Sequence, residues 1–141
     1  MTLYNAKKFL TNRDYFGSMM VEAGEADVFL TGSTRSYAAS LKPALETIGT
    51  APGINKVAGL MLVMTKKGPL FFADTAINLD PTPKELAKIA RLTEYVVRGI
   101  GIRPRIAMLS DENFSARTET TDNISEAVRL LHNLYPDMVV D

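Results

Sequence analysis

Between Asp27 and Leu45 the chain gathers the residue types that hold a phosphate group. Thr31, Gly32, Ser33 and Thr34 offer hydroxyls and a pliable backbone, Arg35 and Lys42 offer positive charge, and Ser36 and Ser40 add further hydroxyls. The apolar run Val28-Phe29-Leu30 precedes them and reads as a short strand, while Tyr37, Leu41, Ala44, Leu45 and Ile48 follow with helical spacing. A strand, a small-residue loop and a helix start leave backbone N–H groups facing one spot, and such a spot attracts anions. Arginine brings a planar fork to that ligand, and lysine a point charge. The stretch is neither a GxGxxG turn nor a Walker loop. Taken alone, it is better read as an ordinary strand–loop–helix unit with solvated Arg35 and Lys42.

The rest of the chemistry is sparse. There is no cysteine, which excludes disulfides, thiolate metal sites and a cysteine nucleophile, and allows a reducing compartment. The lone histidine, His132, makes no cluster and reads as a helix-flank residue. Asp74 directly follows Phe71-Phe72-Ala73 at a strand end, where a carboxylate either bonds loop amides or meets a ligand. Sixteen basic residues balance sixteen acidic ones, so no global field favours nucleic acid or an anionic membrane. The apolar run from Val57 to Met64 is too short to span a bilayer, and no secretory leader is expected.

The elements that must position these residues follow from pattern. Residues 1–12 carry little periodicity, with Tyr4, Phe9 and Leu10 as the packing groups of an arm. Asp14 opens a helix whose apolar face is Tyr15, Phe16, Met19, Met20 and Ala23, with the two methionines in the core and Gly24 as the stop. Gly17 and Ser18 within it imply close approach by a neighbour. The next helix runs from about Ser36 to Ile48, and Pro43 either kinks it or marks its first turn. Lys56 to Thr65 and Leu70 to Ala73 read as buried strands joined by a tight turn at Lys66-Lys67-Gly68. Thr82-Pro83-Lys84-Glu85 combines a capping box with a first-turn proline, and Leu86, Ile89, Ala90, Thr93, Val96, Val97 and Ile100 trace the helix it starts. Gly99 or Gly101 ends that helix. Arg105 to Leu109 predicts a short strand and Ser110 to Thr121 a polar loop. Asn123-Ile124-Ser125-Glu126 predicts the cap of a last helix that buries Ile124, Ala127, Val128, Leu131 and Leu134, before Pro136 and a strand at Met138–Val140. The order αβαββαβαβ implies a layered α/β domain with a mixed sheet and flanking helices. A chain that stops inside a strand is expected to be a piece of something longer.

Asp14 to Asp27, the Thr31 loop, Phe72 to Asn78 and Pro104 to Ser110, in that order, resemble the phosphate acetyl/butyryltransferase family. The resemblance covers about Arg13 to Asp141 and is nearest to the transacetylase-like C-terminal domain of bacterial NADP-dependent malic enzymes. It implies part of a two-domain fold related to isocitrate and isopropylmalate dehydrogenases, with residues 1–50 ending one subdomain and 51–141 forming part of the second. It implies transfer of an acyl group between CoA and phosphate without a metal. The implied ligand residues are Ser33, Thr34, Arg35, Ser36, Ser40, Lys42, Asp74 and Ser110. Lys42 stands at an arginine position of the family and Arg35 where a histidine is common. Asn113-Phe114, in the stretch Ser110 to Arg117, is nearer the malic-enzyme version than the Gly/Ser-rich transacetylase version.

The leading expectation is therefore an acetyl-CoA-responsive regulatory domain of a malic enzyme. NADP and a divalent metal (Mg or Mn) would then belong to a region upstream, with no cofactor in this chain. The alternative is a fragment of a phosphate acetyl/butyryltransferase. A ligand-free interaction module is the third class. Acyl-CoA and phosphate are the expected partners, with a homo-oligomer and a cytoplasmic location.

Overall fold

The computed structural model describes residues 2–75, 77–110 and 118–141, and it divides into two units, Met1–Asn55 and Lys56–Asp141. The first unit is helical among its described residues: α1 (Leu3–Leu10), α2 (Arg13–Glu22) and α3 (Tyr37–Thr47). Each begins on a polar cap: Thr2, Asn12 and Ser36 accept backbone N–H groups of the first turn through their side chains. The expected irregular arm at residues 1–12 is thus mostly helix α1, made possible by the Thr2 cap. Its Phe9 ring packs on Tyr15 of α2 with centroids 5.0 Å apart.

Helix α2 buries Asp14, Gly17 and Ser18, which share one face by their spacing. Gly17 explains why: a Cβ there would lie 2.3 Å from Phe29 Cε2, so only glycine admits the ring. The face expected to be core is the other one, and Met19 and Met20 are exposed at 41% and 36%. Apolar character marked the wrong side because the buried side is built from small and polar residues. Val28–Leu30 forms no strand, since this unit holds no described strand to complete its backbone hydrogen bonds. Pro43 lies inside α3, buried and six residues past the helix start, rather than in its first turn.

The second unit pairs β1 (Leu60–Thr65) with β2 (Gly68–Ala73) in an antiparallel hairpin, in register from Leu60↔Ala73 to Thr65↔Gly68. The turn is Lys66-Lys67, and Gly68 takes a φ of 118° that a side chain would resist. The hairpin is as expected, but β1 begins at Leu60 rather than Lys56 and is exposed from Met61 to Thr65 rather than buried.

Helix α4 (Pro83–Gly99) carries the expected capping box between Thr82 and Glu85, and Gly101 follows it with a φ of 82°. Helix α5 (Glu119–Leu134) starts earlier than expected, because Thr118 and Thr121 form its capping box and not the Asn123 segment. Ala87 and Ala90 of α4 meet Leu131 of α5 together with Met138 and Val140, and Ile106, Met108 and Leu130 pack against this core. In place of two full strands, Ile106 and Val140 make a parallel bridge, tied by Ile106 N–H to Val139 O at 2.9 Å and Asp141 N–H to Ile106 O at 3.0 Å. His132 Nε2 lies 2.8 Å from Val140 O, so this histidine fastens α5 to the terminal segment. The described sheet structure is the two-stranded hairpin plus this bridge.

Candidate phosphate site

Residues 31–36 link the irregular segment after α2 to the start of α3. Gly32 has a φ of 109°, and Arg35 N–H reaches back to Gly32 O at 3.4 Å, so the loop curls on itself. Ser36 closes it by accepting Ala39 N–H at 3.3 Å. Helix geometry leaves the N–H groups of Tyr37 and Ala38 at the loop mouth without intrahelical partners.

A carboxylate outside the loop organises it. Asp14 is 0% exposed. Its Oδ1 accepts Thr31 Oγ1 at 2.8 Å, and its Oδ2 lies 2.8 Å from Arg35 Nη1. Arg13, the preceding residue, donates from Nη2 to Thr34 Oγ1 at 2.7 Å and brings its Nε to 4.0 Å from Asp14 Oδ1. Two guanidiniums thus flank one buried carboxylate beside the loop, leaving one positive charge in excess. Their side chains are 62% and 35% exposed, so both remain open to an incoming anion.

The other expected ligand residues divide. Ser33 and Thr34 are exposed on the loop, and Ser40, half-buried one turn into α3, donates to Ser36 O at 3.3 Å. Lys42 points away to Glu46 at 3.7 Å with its side chain 70% exposed. Glu46 also accepts the Tyr15 hydroxyl, which pushes the phenol's pKa up and joins α2 to α3. Asp74 and Ser110 belong to the second unit. Asp74 has a φ of 57°, and its Oδ1 accepts Asn78 N–H at 3.3 Å and Asn78 Nδ2 at 2.8 Å, which is one of the two roles weighed for it. Ser110 is half-buried after the bridge segment, and the stretch Asp111–Arg117 lies outside the described residues.

Sequence reasoning missed Arg13 and read Asp14 only as a helix-start charge. The adjacent pair Arg13-Asp14 was visible, but only the fold brings it to a loop about twenty residues away. Among the described residues, no three or more histidines and acidic residues gather as a metal cluster. No described helix is long and apolar enough to cross a membrane.

A profile of phosphate acetyl/butaryl transferases matches residues 1–141. The chain belongs to this family. It is 34% identical over 137 residues to the phosphate acetyltransferase of Bacillus subtilis, covering 96% of this chain and 42% of that protein. An NAD-dependent malic enzyme of Rhizobium meliloti is 32% identical over 132 residues, 93% of this chain and 17% of the enzyme. The fold superposes on a phosphotransacetylase from Streptococcus pyogenes with a TM-score of 0.82 at 38% identity, covering 99% of this chain and 44% of that one. The family member therefore spans less than half the length of these relatives. Its described α/β architecture, helices with a small two-stranded sheet, is similar to the matching part of that phosphotransacetylase structure.

Proposed function

We propose that this chain is the phosphate-binding part of a phosphate acyltransferase. In that reaction the CoA thiolate attacks the carbonyl carbon of an acyl phosphate, a C–S bond forms, the C–O bond to phosphate breaks, and phosphate leaves with the electron pair. What this chain contributes is a place for the phosphate. The observation that carries the reading is the Arg13–Asp14–Arg35 cluster at the start of α3, which holds excess positive charge beside a loop of hydroxyls and open N–H groups. Charge-assisted hydrogen bonds from two guanidiniums stabilise the phosphate as its negative charge grows on release. Ser33, Thr34, Ser36 and Ser40 belong to this loop and the first turn of α3, and Lys42 follows one turn on; Asp74 and Ser110 remain separate candidates within the second unit. An isocitrate dehydrogenase-like two-domain fold, a homo-oligomer and a cytoplasmic location for the full-length protein are parts of the same reading.

The test is formation of acetyl-CoA from acetyl phosphate and CoA by the full-length protein. Turnover far above the buffer rate is expected. A second reading, an acetyl-CoA-responsive domain of a malic enzyme, is favoured by the likeness to the Rhizobium meliloti enzyme. It requires the opposite pattern: no acetyl transfer, and malate-dependent reduction of NAD or NADP that changes when acetyl-CoA is added. In that case the nucleotide and a divalent metal belong to residues outside this chain.

A further inference from the structure

We propose that Asp14 is a positioning residue for the phosphate site: its buried carboxylate holds both ends of the Thr31–Arg35 loop and sets the pose of Arg35. The inference rests on the phosphate-binding reading of that loop. An aspartate in the first turn of a helix ordinarily sits in solvent and acts on the helix dipole. Asp14 is instead 0% exposed, and burial of a carboxylate is costly unless charge and hydrogen bonds compensate it. The compensation comes from the loop. Thr31 donates to Oδ1 at one end, and Arg35 places Nη1 by Oδ2 at the other.

The contact with Arg35 is asymmetric. Oδ2 is 2.8 Å from Nη1, yet no donor is aligned on it as a hydrogen bond. The guanidinium is thus tethered by charge at one nitrogen rather than gripped as a fork. A guanidinium has five donors, and one tethered nitrogen leaves the others to face an anion. Arg35 is 35% exposed, whereas its partner is sealed, so the pair has a buried anchor and an open working end. The cost of fixing a long side chain is met before the ligand arrives, which is how preorganisation raises affinity. Asp14 uses its backbone N–H on the Asn12 cap at 2.9 Å, leaving its side chain to the loop.

The ligand chemistry is a phosphate dianion, whether that of an acyl phosphate or one carried by CoA. Asp14→Asn keeps the shape and an acceptor for Thr31 while removing the charge that tethers Arg35. In the full-length protein the expected result is about a tenfold rise in KM for acetyl phosphate with kcat within about twofold, and an equal rise in the calorimetric Kd for inorganic phosphate. A tenfold loss confined to CoA binding also supports positioning and assigns the loop to the phosphates of CoA. Thr31→Val, which removes one anchor and leaves the charge, should move the same constants about threefold. It also serves if Asp14→Asn fails to fold. A lower KM in Asp14→Asn would make Asp14 a competitor of the ligand and overturn the proposal. So would unchanged constants in folded variants of both residues. If the wild type shows no acetyl transfer but binds phosphate more weakly after Asp14→Asn, the transferase reading fails and the positioning role stands. A wild type that binds neither inorganic phosphate nor CoA overturns both.

Discussion

Arg35 Nη1 lies 2.8 Å from Asp14 Oδ2, and the carboxylate it meets is fully buried. The loop's arginine therefore has a folding role beside the ligand role proposed for it. Removing one partner of a buried ion pair leaves the other uncompensated, at about 3–5 kcal/mol for sealed pairs. Arg35 is partly open to water, so Arg35→Ala should cost about 3 kcal/mol by chemical denaturation, the low end of that range.

Lys42 supplies the contrast. Its contact with Glu46 is exposed on both sides. Lys42→Ala should change stability by less than about 0.5 kcal/mol in the same experiment. Its effect on phosphate affinity should be smaller than that of Arg35→Ala, because Lys42 acts on the loop only through its field.

Gly17→Ala tests the packing of α2 on the segment after it. The new methyl group would collide with the Phe29 ring at 2.3 Å, so either the ring or the helix must move. A loss of about 1–3 kcal/mol is expected. Phe29→Leu should suppress much of that loss in the double variant, and simple additivity of the two changes would contradict the packing described here.

Glu85 gives the second unit a stability contribution that depends on pH. Its pKa is lowered from 4.5 to about 2, first by the Thr82 backbone N–H and then by Lys56 and the Thr82 hydroxyl. Lys56 Nζ is 2.9 Å from Glu85 Oε1 and 3.1 Å from Asn78 Oδ1, so the same lysine ties the start of α4 to the loop after β2. A lowered carboxyl pKa gives stability that is full above the unfolded value and lost as pH falls through the folded one. The wild type should thus lose its advantage over Glu85→Gln between pH 4.5 and about 2. A constant difference across that window, followed by pH-dependent denaturation, would show that the cap and not the charge carries the effect.

Local signals were legible in the sequence where one residue type has one use. The Thr82–Glu85 capping box, the Lys66-Lys67-Gly68 turn and the glycine after α2 all stand where they were expected. The burial of β1 and of Met19 was misjudged because apolar spacing records what a residue prefers, while coverage depends on its neighbours. Val28–Leu30 has strand composition, but a strand needs a partner that its unit does not provide among the described residues. The start of α5 was missed because threonines at Thr118 and Thr121 cap each other, a weaker signature than a serine or threonine paired with glutamate.

At the site, the loop was legible and its support was not. Hydroxyls, glycine and cations between Thr31 and Lys42 single the loop out as a candidate, whereas nothing local connects them to Arg13 and Asp14. The choice between parents also shifted. The Asn113-Phe114 stretch placed the malic-enzyme version first, whereas most of the relatives described above are phosphate acetyltransferases, which favours the transferase alternative.

The most direct test of the central claim is the kcat/KM for acetyl phosphate of full-length Arg13→Ala against wild type. Arg13 is 62% exposed, its hydrogen bond to Thr34 is a surface contact, and its Nε stays 4.0 Å from Asp14 while Arg35 Nη1 is 2.8 Å away, so this variant should melt close to the wild-type temperature. Loss of one charge-assisted contact to phosphate costs about 1.5–3 kcal/mol, or about ten- to hundredfold in kcat/KM. A fall of that size with an unchanged melting temperature is the predicted result. Equal kcat/KM in the two proteins, or a wild type that transfers no acetyl group, would contradict the assignment of this loop as the phosphate site of an acyltransferase.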